Sequence, residues 1–208
     1  MARYSGPVCR LCRREGVKLY LKGTRCDSPK CSIVKREQPP GVHVWRRGKP
    51  SKYGLQLREK QKLKRSYGIM ERQFRRVFEN ATRVRGNTGE ALLTLVERRL
   101  DNVIYCLGFA ASRPQARQLI RHGHIQVGTN KVTIPSYSVR EGEVIKLTGK
   151  DNVKKLVEEN LEIAKGRGIP EWLELETDPA VGRVVRLPRR DEIAQEFQEQ
   201  LIVELLSK

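Results

Sequence analysis

The chain has 208 residues, 38% hydrophobic and 6% aromatic, and its 42 Lys and Arg against 24 Asp and Glu give a formal net charge of +18. That length suits one or two domains, and so few apolar residues argue against a single large core. There is no early apolar run of signal-peptide length and no stretch of about 18 apolar residues, so the sequence is expected to be cytosolic and soluble. The charge is segregated: residues 1–90 carry 24 basic and 7 acidic side chains, whereas 91–208 carry 18 and 17. A partner able to neutralise the first part is a large polyanion, which points to nucleic acid. An anionic membrane would also attract this charge, but neither end shows a lipidation motif or a strongly amphipathic anchor.

In chain order, the first feature is CRLCRREGVKLYLKGTRCDSPKC, which places Cys9, Cys12, Cys26 and Cys31 in the spacing C-x2-C-x13-C-x4-C. Two close thiol pairs across a loop can close tetrahedrally on one ion. Gly6-Pro7, Gly23 and Ser28-Pro29 supply the tight turns. Residues 1–50 hold few large apolar side chains, and a structural zinc contributes on the order of 10–16 kcal/mol where a core cannot. The expectation is one Zn(II) per chain; an iron–sulfur cluster on the same four cysteines is the alternative. With thiols in all four positions none is left for water, so the metal is scaffold and not catalytic. Cys106 falls in an apolar helical pattern and reads as a small buried hydrophobe.

Arg36 to Gly54 is polar and rich in Pro and Gly, and reads as an extended basic connector. Helices are expected near 52–66 and 69–82. The first carries so many charges per apolar residue that its packing face must be narrow. The second packs Met70, Phe74, Val77, Phe78 and Ala81 and presents arginines on its other face. A third is expected to start at Asn87 or Thr88 and to run to Gly108 on the stripe Leu92, Val96, Leu100, Val103 and Leu107. Ser112 is placed to cap a short helix with Pro114 in its first turn and Gly123 as its stop. Ala116, Leu119 and Ile120 would face in, with Arg113, Arg117 and Arg121 facing out. A small antiparallel sheet then follows from the alternation of Ile125, Val127, Val132, Ile134, Val144 and Ile145, with turns at Gly128-Thr129-Asn130 and Glu141-Gly142. A helix from Asp151 to about Lys165, strands near 172–176 and 182–187, and a last helix from Asp191 to Lys208 complete the pattern. The last carries Ile193, Phe197, Leu201 and Leu205, a stripe that needs a partner.

Thr88 to Val127, TGEALLTLVERRLDNVIYCLGFAASRPQARQLIRHGHIQV, resembles the small RNA-binding module named after protein S-four of the small ribosomal subunit. MARYSGPVCRLCRREG, LREKQKLKRSYGIMERQF and IPSYSVREGEVIKL extend the likeness to the bacterial-type S-four family itself, in its four-cysteine version, over nearly the whole chain. VGTNKV at 127–132 and GVHVWRRGKP at 41–50 depart from the usual pattern. The resemblance implies an α+β fold: a metal-binding basic segment at 1–50, a helical domain of 51–97 completed by 191–208, and an inserted RNA-binding module with its helix and strand extension at 98–190. It also implies a structural component of the cytoplasmic ribosome that binds small-subunit ribosomal RNA early in assembly. Contact with the neighbouring protein S-five follows, as does a place near the path by which messenger RNA enters, where decoding accuracy is influenced. No enzymatic activity, membrane or small-molecule substrate is implied.

The residues expected to meet RNA are Arg10, Arg13, Arg14, Lys22, Arg36, Arg46, Arg47 and Lys49 in the first segment, and Arg58, Lys62, Lys64, Arg65, Arg72, Arg76 and Arg83 on the basic helices. In the module they are Ser112, Arg113, Gln115, Arg117, Arg121, His122 and His124, where free helix amides can meet a phosphate. Two other function classes compete. A pseudouridine synthase would need a catalytic aspartate; Asp101 is the one candidate, but it sits inside a helical stripe where capping or salt bridging fits better. A zinc-dependent DNA regulator would need a recognition helix and a dimer element, and no convincing one occurs.

Overall fold

Ser51 begins the first long helix: its hydroxyl accepts the Gly54 amide at 3.1 Å, satisfying one of the helix's orphan donors at the start of α3 (Lys52–Ser66). The computed structural model in which this is seen describes residues 4–42, 49–177, 180–193 and 196–207. The chain divides into two compact units, Met1–Leu93 with Gln195–Lys208 and Thr94–Ala194.

In the first unit, α1 (Cys9–Glu15), a 3-10 turn (Gly23–Cys26) and α2 (Ser32–Lys35) hold the cysteine segment. Leu19 and Leu21 turn inward onto Cys12, Val8, Leu11 and Ile33. Tyr20 between them has φ +51°, a left-handed conformation that a bulky residue adopts only where its surroundings impose it. Among α3's buried residues only Leu63 is a large hydrophobe, the others being Gln56, Lys60 and Ser66, so the apolar face is as narrow as its composition requires. Helix α4 (Glu71–Thr82) buries Phe74, Phe78 and Ala81, but Met70, expected on that face, lies outside the helix and is exposed.

The C-terminal element α9 (Glu199–Leu206) packs against α3. Gln56 donates to Glu204 at 2.7 Å, the Gln198 amide to Glu59 at 2.9 Å, and Tyr67 meets Phe197 with ring centroids 6.2 Å apart. The helix expected from Asp191 is thus shorter. Arg190–Glu192 is a 3-10 turn, Ile193 is extended, and residues 196–198 are non-helical. The cause is Glu192, whose carboxylate is taken by Arg186 at 2.7 Å and by the Arg189 amide at 2.8 Å, which fixes a turn there. Ile193, Phe197 and Ile202 are buried, while Leu201 and Leu205 are half-buried.

The single helix expected from Thr88 to Gly108 is two, α5 (Thr88–Glu97) and α6 (Leu100–Cys106). The break lies at Arg98 and Arg99. There the backbone turns extended and bonds outward: Leu100 N–H to the Tyr137 carbonyl (2.8 Å), Asp101 N–H to Pro135 (3.1 Å) and Val139 N–H to Arg98 (2.9 Å). Tertiary backbone pairing overrides the helical period. Helix α7 (Arg113–Arg121) follows in the second unit, then β1 (Ile125–Val127), β2 (Asn130–Lys131), β3 (Val144–Leu147), α8 (Asp151–Ala164), β4 (Leu173–Glu176) and β5 (Val181–Val184). The sheet runs β2-β1-β3-β5-β4, antiparallel throughout, with Val127 opposite Asn130 across the Gly128-Thr129 turn and opposite Ile145 on β3. Ile134 lies outside the sheet and is exposed, because the 133–138 stretch is given to the α5–α6 break.

The core of this unit gathers Val103, Leu107, Phe109, Leu119, Ile120, Ile125, Ile145, Val157, Trp172 and Val184. Gly182 on β5 lies flat against Leu107, and a Cβ there would overlap that side chain. Gly182→Val is expected to cost about 1–3 kcal/mol by overpacking, read as a lower urea midpoint at an unchanged slope.

Candidate nucleic-acid interface

Helix α7 starts at the expected Ser112 cap. The Ser112 hydroxyl accepts the Gln115 amide at 3.4 Å, and the Gln115 side chain reaches back to the Ala111 amide at 2.7 Å rather than to Ser112. The three arginines spaced by four then part company. Arg121 is exposed, and among the described residues no carboxylate pairs with it. Arg113 donates from Nε to Asn102 Oδ1 at 2.9 Å. Arg117 turns inward and donates from Nε to Asp101 Oδ2 at 2.7 Å. His122 is exposed and His124 half-buried, their rings 6.1 Å apart edge to face.

Asp101 is the hub of that arrangement. Its side chain is 1% exposed, and Arg99 grips it with both Nε (3.1 Å) and Nη2 (2.8 Å) while Arg117 takes the remaining approach. A buried carboxylate is tolerable only when paired and hydrogen-bonded in this way. Beside it, Asn102 donates to the Glu97 carbonyl at 2.9 Å and to the Glu97 carboxylate. Burial pushes the Cys106 thiol up to about 12, in keeping with a packed hydrophobe.

On the basic helices the charge is unevenly committed. Arg58 pairs with Glu15 at 3.4 Å and Arg65 with the same Glu15 oxygen. Lys62 pairs with Glu59 at 3.2 Å, and Lys64 with Glu71 at 2.9 Å alongside Lys60. Arg72, Arg76 and Arg83 on and just after α4 are exposed, and among the described residues none of them pairs with a carboxylate. Offsets of four and eleven residues place all three on one side of the helix, away from Phe74, Phe78 and Ala81. In the first segment Arg10, Arg14, Lys22, Arg36 and Lys49 are exposed, while Arg13 donates to the Gln38 carbonyl at 2.8 Å. Arg46 and Arg47 lie outside the described residues.

Cys9, Cys12, Cys26 and Cys31 line one small cavity of about 10 Å³ together with Val8, Leu21, Lys22, Arg25 and Ser32. Cys12, Cys26 and Cys31 are buried. Burial, and after it the neighbouring thiols, push Cys12 and Cys26 up, while the backbone amides of Leu19 and Lys22 point at the two sulfurs and act the other way; Lys22 N–H to Cys26 Sγ is 3.3 Å. Four soft donors around one void, two with amides already aimed at them, are a donor set that fits a thiolate metal. As the side chains stand, no group of three or more His, Cys, Asp or Glu among the described residues is arranged to hold an ion.

Residues 3–97 match the family profile described as "Ribosomal protein S4/S9 N-terminal domain", and residues 98–145 match "S4 domain". Proteins called "Small ribosomal subunit protein uS4" align along the full length of both chains. They are 58% identical over 208 residues in Thermoanaerobacter sp. (strain X514), 56% over 208 in Thermodesulfovibrio yellowstonii and 54% over 209 in Thermus thermophilus. The chain belongs to the uS4 family. It is a structural protein, not an enzyme.

In this uS4-family chain the basic set drawn from sequence includes α3 side chains that acids already hold, at Arg58, Lys62, Lys64 and Arg65, and it leaves out the acids that hold them. Glu15, whose side chain is 1% exposed and joins the cysteine segment to Arg58 and Arg65 of α3, was detectable only as a lone acid in a basic run. Asp101 had a clearer signal, an acid inside an apolar stripe. Asp101→Asn leaves Arg99 and Arg117 facing each other across a neutral amide, and is expected to cost about 3–5 kcal/mol, as breaking a buried pair does, read by urea denaturation. A second outcome concerns pH. Partial burial of Glu71 works against its ionisation, but hydrogen bonds from Lys60 and Lys64 outweigh it and bring the carboxyl down to about 2. The folded value lies below the usual glutamate value of about 4.3, so this stabilisation is full above that pH and is lost as pH falls toward 2. Over that window Glu71→Gln should show a flatter dependence of urea midpoint on pH than the unsubstituted chain.

Proposed function

We propose that this chain is a cytoplasmic small-subunit ribosomal protein that grips folded ribosomal RNA with two faces, the Arg72, Arg76 and Arg83 side of α4 and the Ser112–His124 turn and helix. The observation that carries the reading is that Arg72, Arg76, Arg83 and Arg121 are exposed and, among the described residues, pair with no carboxylate, in a chain whose full-length relatives are small ribosomal subunit proteins. RNA helices hide their base edges in a deep, narrow groove, so shape and phosphate position dominate the recognition. The finer placement follows from the family resemblance: early binding that nucleates assembly, contact with protein S-five, and a position beside the incoming messenger where decoding accuracy is set.

Cys9, Cys12, Cys26 and Cys31 would hold one Zn(II), or an iron–sulfur cluster, as a structural brace that supplies the cation the four sulfurs otherwise lack. Around it Leu19 and Lys22 direct amides at sulfur, and Glu15 ties the braced segment to α3. Protein purified from cells is expected to carry about one equivalent of zinc or of cluster iron by elemental analysis, and chelation is expected to disorder the cysteine segment while α3, α4 and the second unit stay folded. A metal-free native protein would remove the brace from the reading.

The RNA reading makes a discriminating prediction. Arg121→Ala should weaken binding to a small-subunit ribosomal RNA fragment and shallow its log–log salt dependence by roughly 0.7–0.9, with the melting temperature unchanged. Arg117→Ala should lower the melting temperature first, because it strips a partner from buried Asp101. Equal melting losses for both would assign this face to packing.

A further inference from the structure

We infer that Glu15 is a latch: it withholds Arg58 and Arg65 of α3 from RNA, and these two arginines are a reserve pair of phosphate contacts released when Glu15 lets go. This inference rests on the RNA-binding reading above. It goes beyond that reading by making the cysteine segment a control on how many cations α3 offers to RNA.

The geometry is specific. Arg58 and Arg65 stand seven residues apart, two turns along α3, and therefore lie on one side of it. Both guanidiniums donate through Nη1 to the same oxygen of Glu15, Oε1, with Arg58 at 3.4 Å. Glu15 takes a single N–H from each, and among the described residues neither guanidinium has another partner. The side chains of Arg58 and Arg65 are 39% and 22% exposed, so both lie within reach of solvent, whereas that of Glu15 is 1% exposed. The acid belongs to a different part of the chain from the bases it holds: Glu15 is the last residue of α1, the helix that carries Cys9 and Cys12 and packs against α3.

The contact holds the arginines well and the acid poorly. Glu15 Oε2 is buried and accepts no hydrogen bond among the described residues, so half of the carboxylate has lost its water without replacement. The carboxylate also stands at the C-terminal end of a helix, where the backbone dipole disfavours negative charge. A buried acid with one unsatisfied oxygen in an unfavourable field is a closure that a competitor can open. Phosphate is such a competitor, because the planar fork of a guanidinium matches phosphate oxygens as well as it matches a carboxylate. Once Glu15 is withdrawn, two cations about 10 Å apart along α3 face outward without a counter-charge. Residues 1–90 carry 24 basic side chains against 7 acidic, an excess that draws a polyanion to this part of the chain. The seating of α1 and the phosphates of RNA thus compete for the same two side chains.

The test is equilibrium binding of the full-length protein to a small-subunit ribosomal RNA fragment over a range of KCl, at a temperature below the melting transition of every variant. Glu15→Gln keeps the shape of the side chain and removes its charge. It should tighten binding roughly three- to tenfold near 0.1 M salt and steepen the log–log salt slope by roughly 0.7–1.8, the equivalent of one or two phosphates. Adding Arg58→Ala and Arg65→Ala to Glu15→Gln should abolish that gain; a gain that survives comes from the lost negative charge alone and overturns the inference. Unchanged affinity and slope in Glu15→Gln would make the contact packing only, and overturn it as well. Should Glu15→Gln not fold, Arg58→Ala decides, since Glu15 then keeps Arg65. A latched Arg58 shallows the slope far less than Arg72→Ala, which should lose roughly 0.7–0.9. Equal losses for the two would put Arg58 on the RNA already and refute the latch. Failure of the unsubstituted protein to bind the fragment would instead overturn the RNA reading itself, and this inference with it.

Discussion

The carboxylate of Asp101 is the point on which the second unit turns. A single negative charge, almost fully removed from water, needs two guanidiniums to be tolerated, and they come from positions 99 and 117, on either side of it in the chain. Holding Arg99 inward takes that residue out of helical conformation, which opens the backbone at Arg98 to Leu100 for pairing with the 135–139 stretch. Holding Arg117 inward fixes the rotation of α7 about its axis. That rotation sends Ala116, Leu119 and Ile120 to the core and leaves Arg121 in solvent. An electrostatic requirement at one buried group therefore acts with the backbone pairing to 135–139 where the helix breaks, and decides which arginine of α7 faces outward.

The first unit distributes its charge by a related rule. Its cations outnumber its acids, and four of those acids are placed where helices meet: Glu15 between the cysteine segment and α3, Glu71 on the two α3 lysines, and Glu59 and Glu204 at the seam with α9. Neutralising cations at these seams reduces self-repulsion inside the unit. The unneutralised remainder is exposed on and just after α4, at Arg72, Arg76 and Arg83, and in the cysteine segment, at Arg10, Lys22 and Arg36. Some members of one basic population are thus held by acids while others stay exposed, and a count of Lys and Arg alone does not separate them.

Much of this was legible in the sequence. The helices over 52–66 and 151–164, the Ser112 cap, the Gly128-Thr129 turn and the pair of late strands all follow from local rules, because capping, glycine turns and alternation act within a few residues. The break at Arg99 was not legible, since its cause lies some forty residues away at Tyr137 and Val139 and the apolar stripe runs unbroken through it. The late start of α9 had the same origin in a tertiary ion pair, Arg186 with Glu192. For the interface, composition located the basic regions and the family resemblance named the module. Choosing among Arg58, Arg65, Arg72 and Arg76 required knowing which of them an acid already holds.

The docking of α9 on α3 has a consequence for how the protein is made. Residues 94–194 form one uninterrupted stretch of chain, whereas the first unit draws on residues synthesised both before and after it. A ribosome adding about 5–20 residues per second takes roughly 5–20 s to pass from residue 93 to residue 195. During that interval Leu63, Tyr67 and Phe74 have emerged without Phe197 and Ile202, the side chains buried with them in the finished unit. Vectorial synthesis therefore supplies every residue of the later unit before the earlier, more strongly charged one can be closed by the last helix.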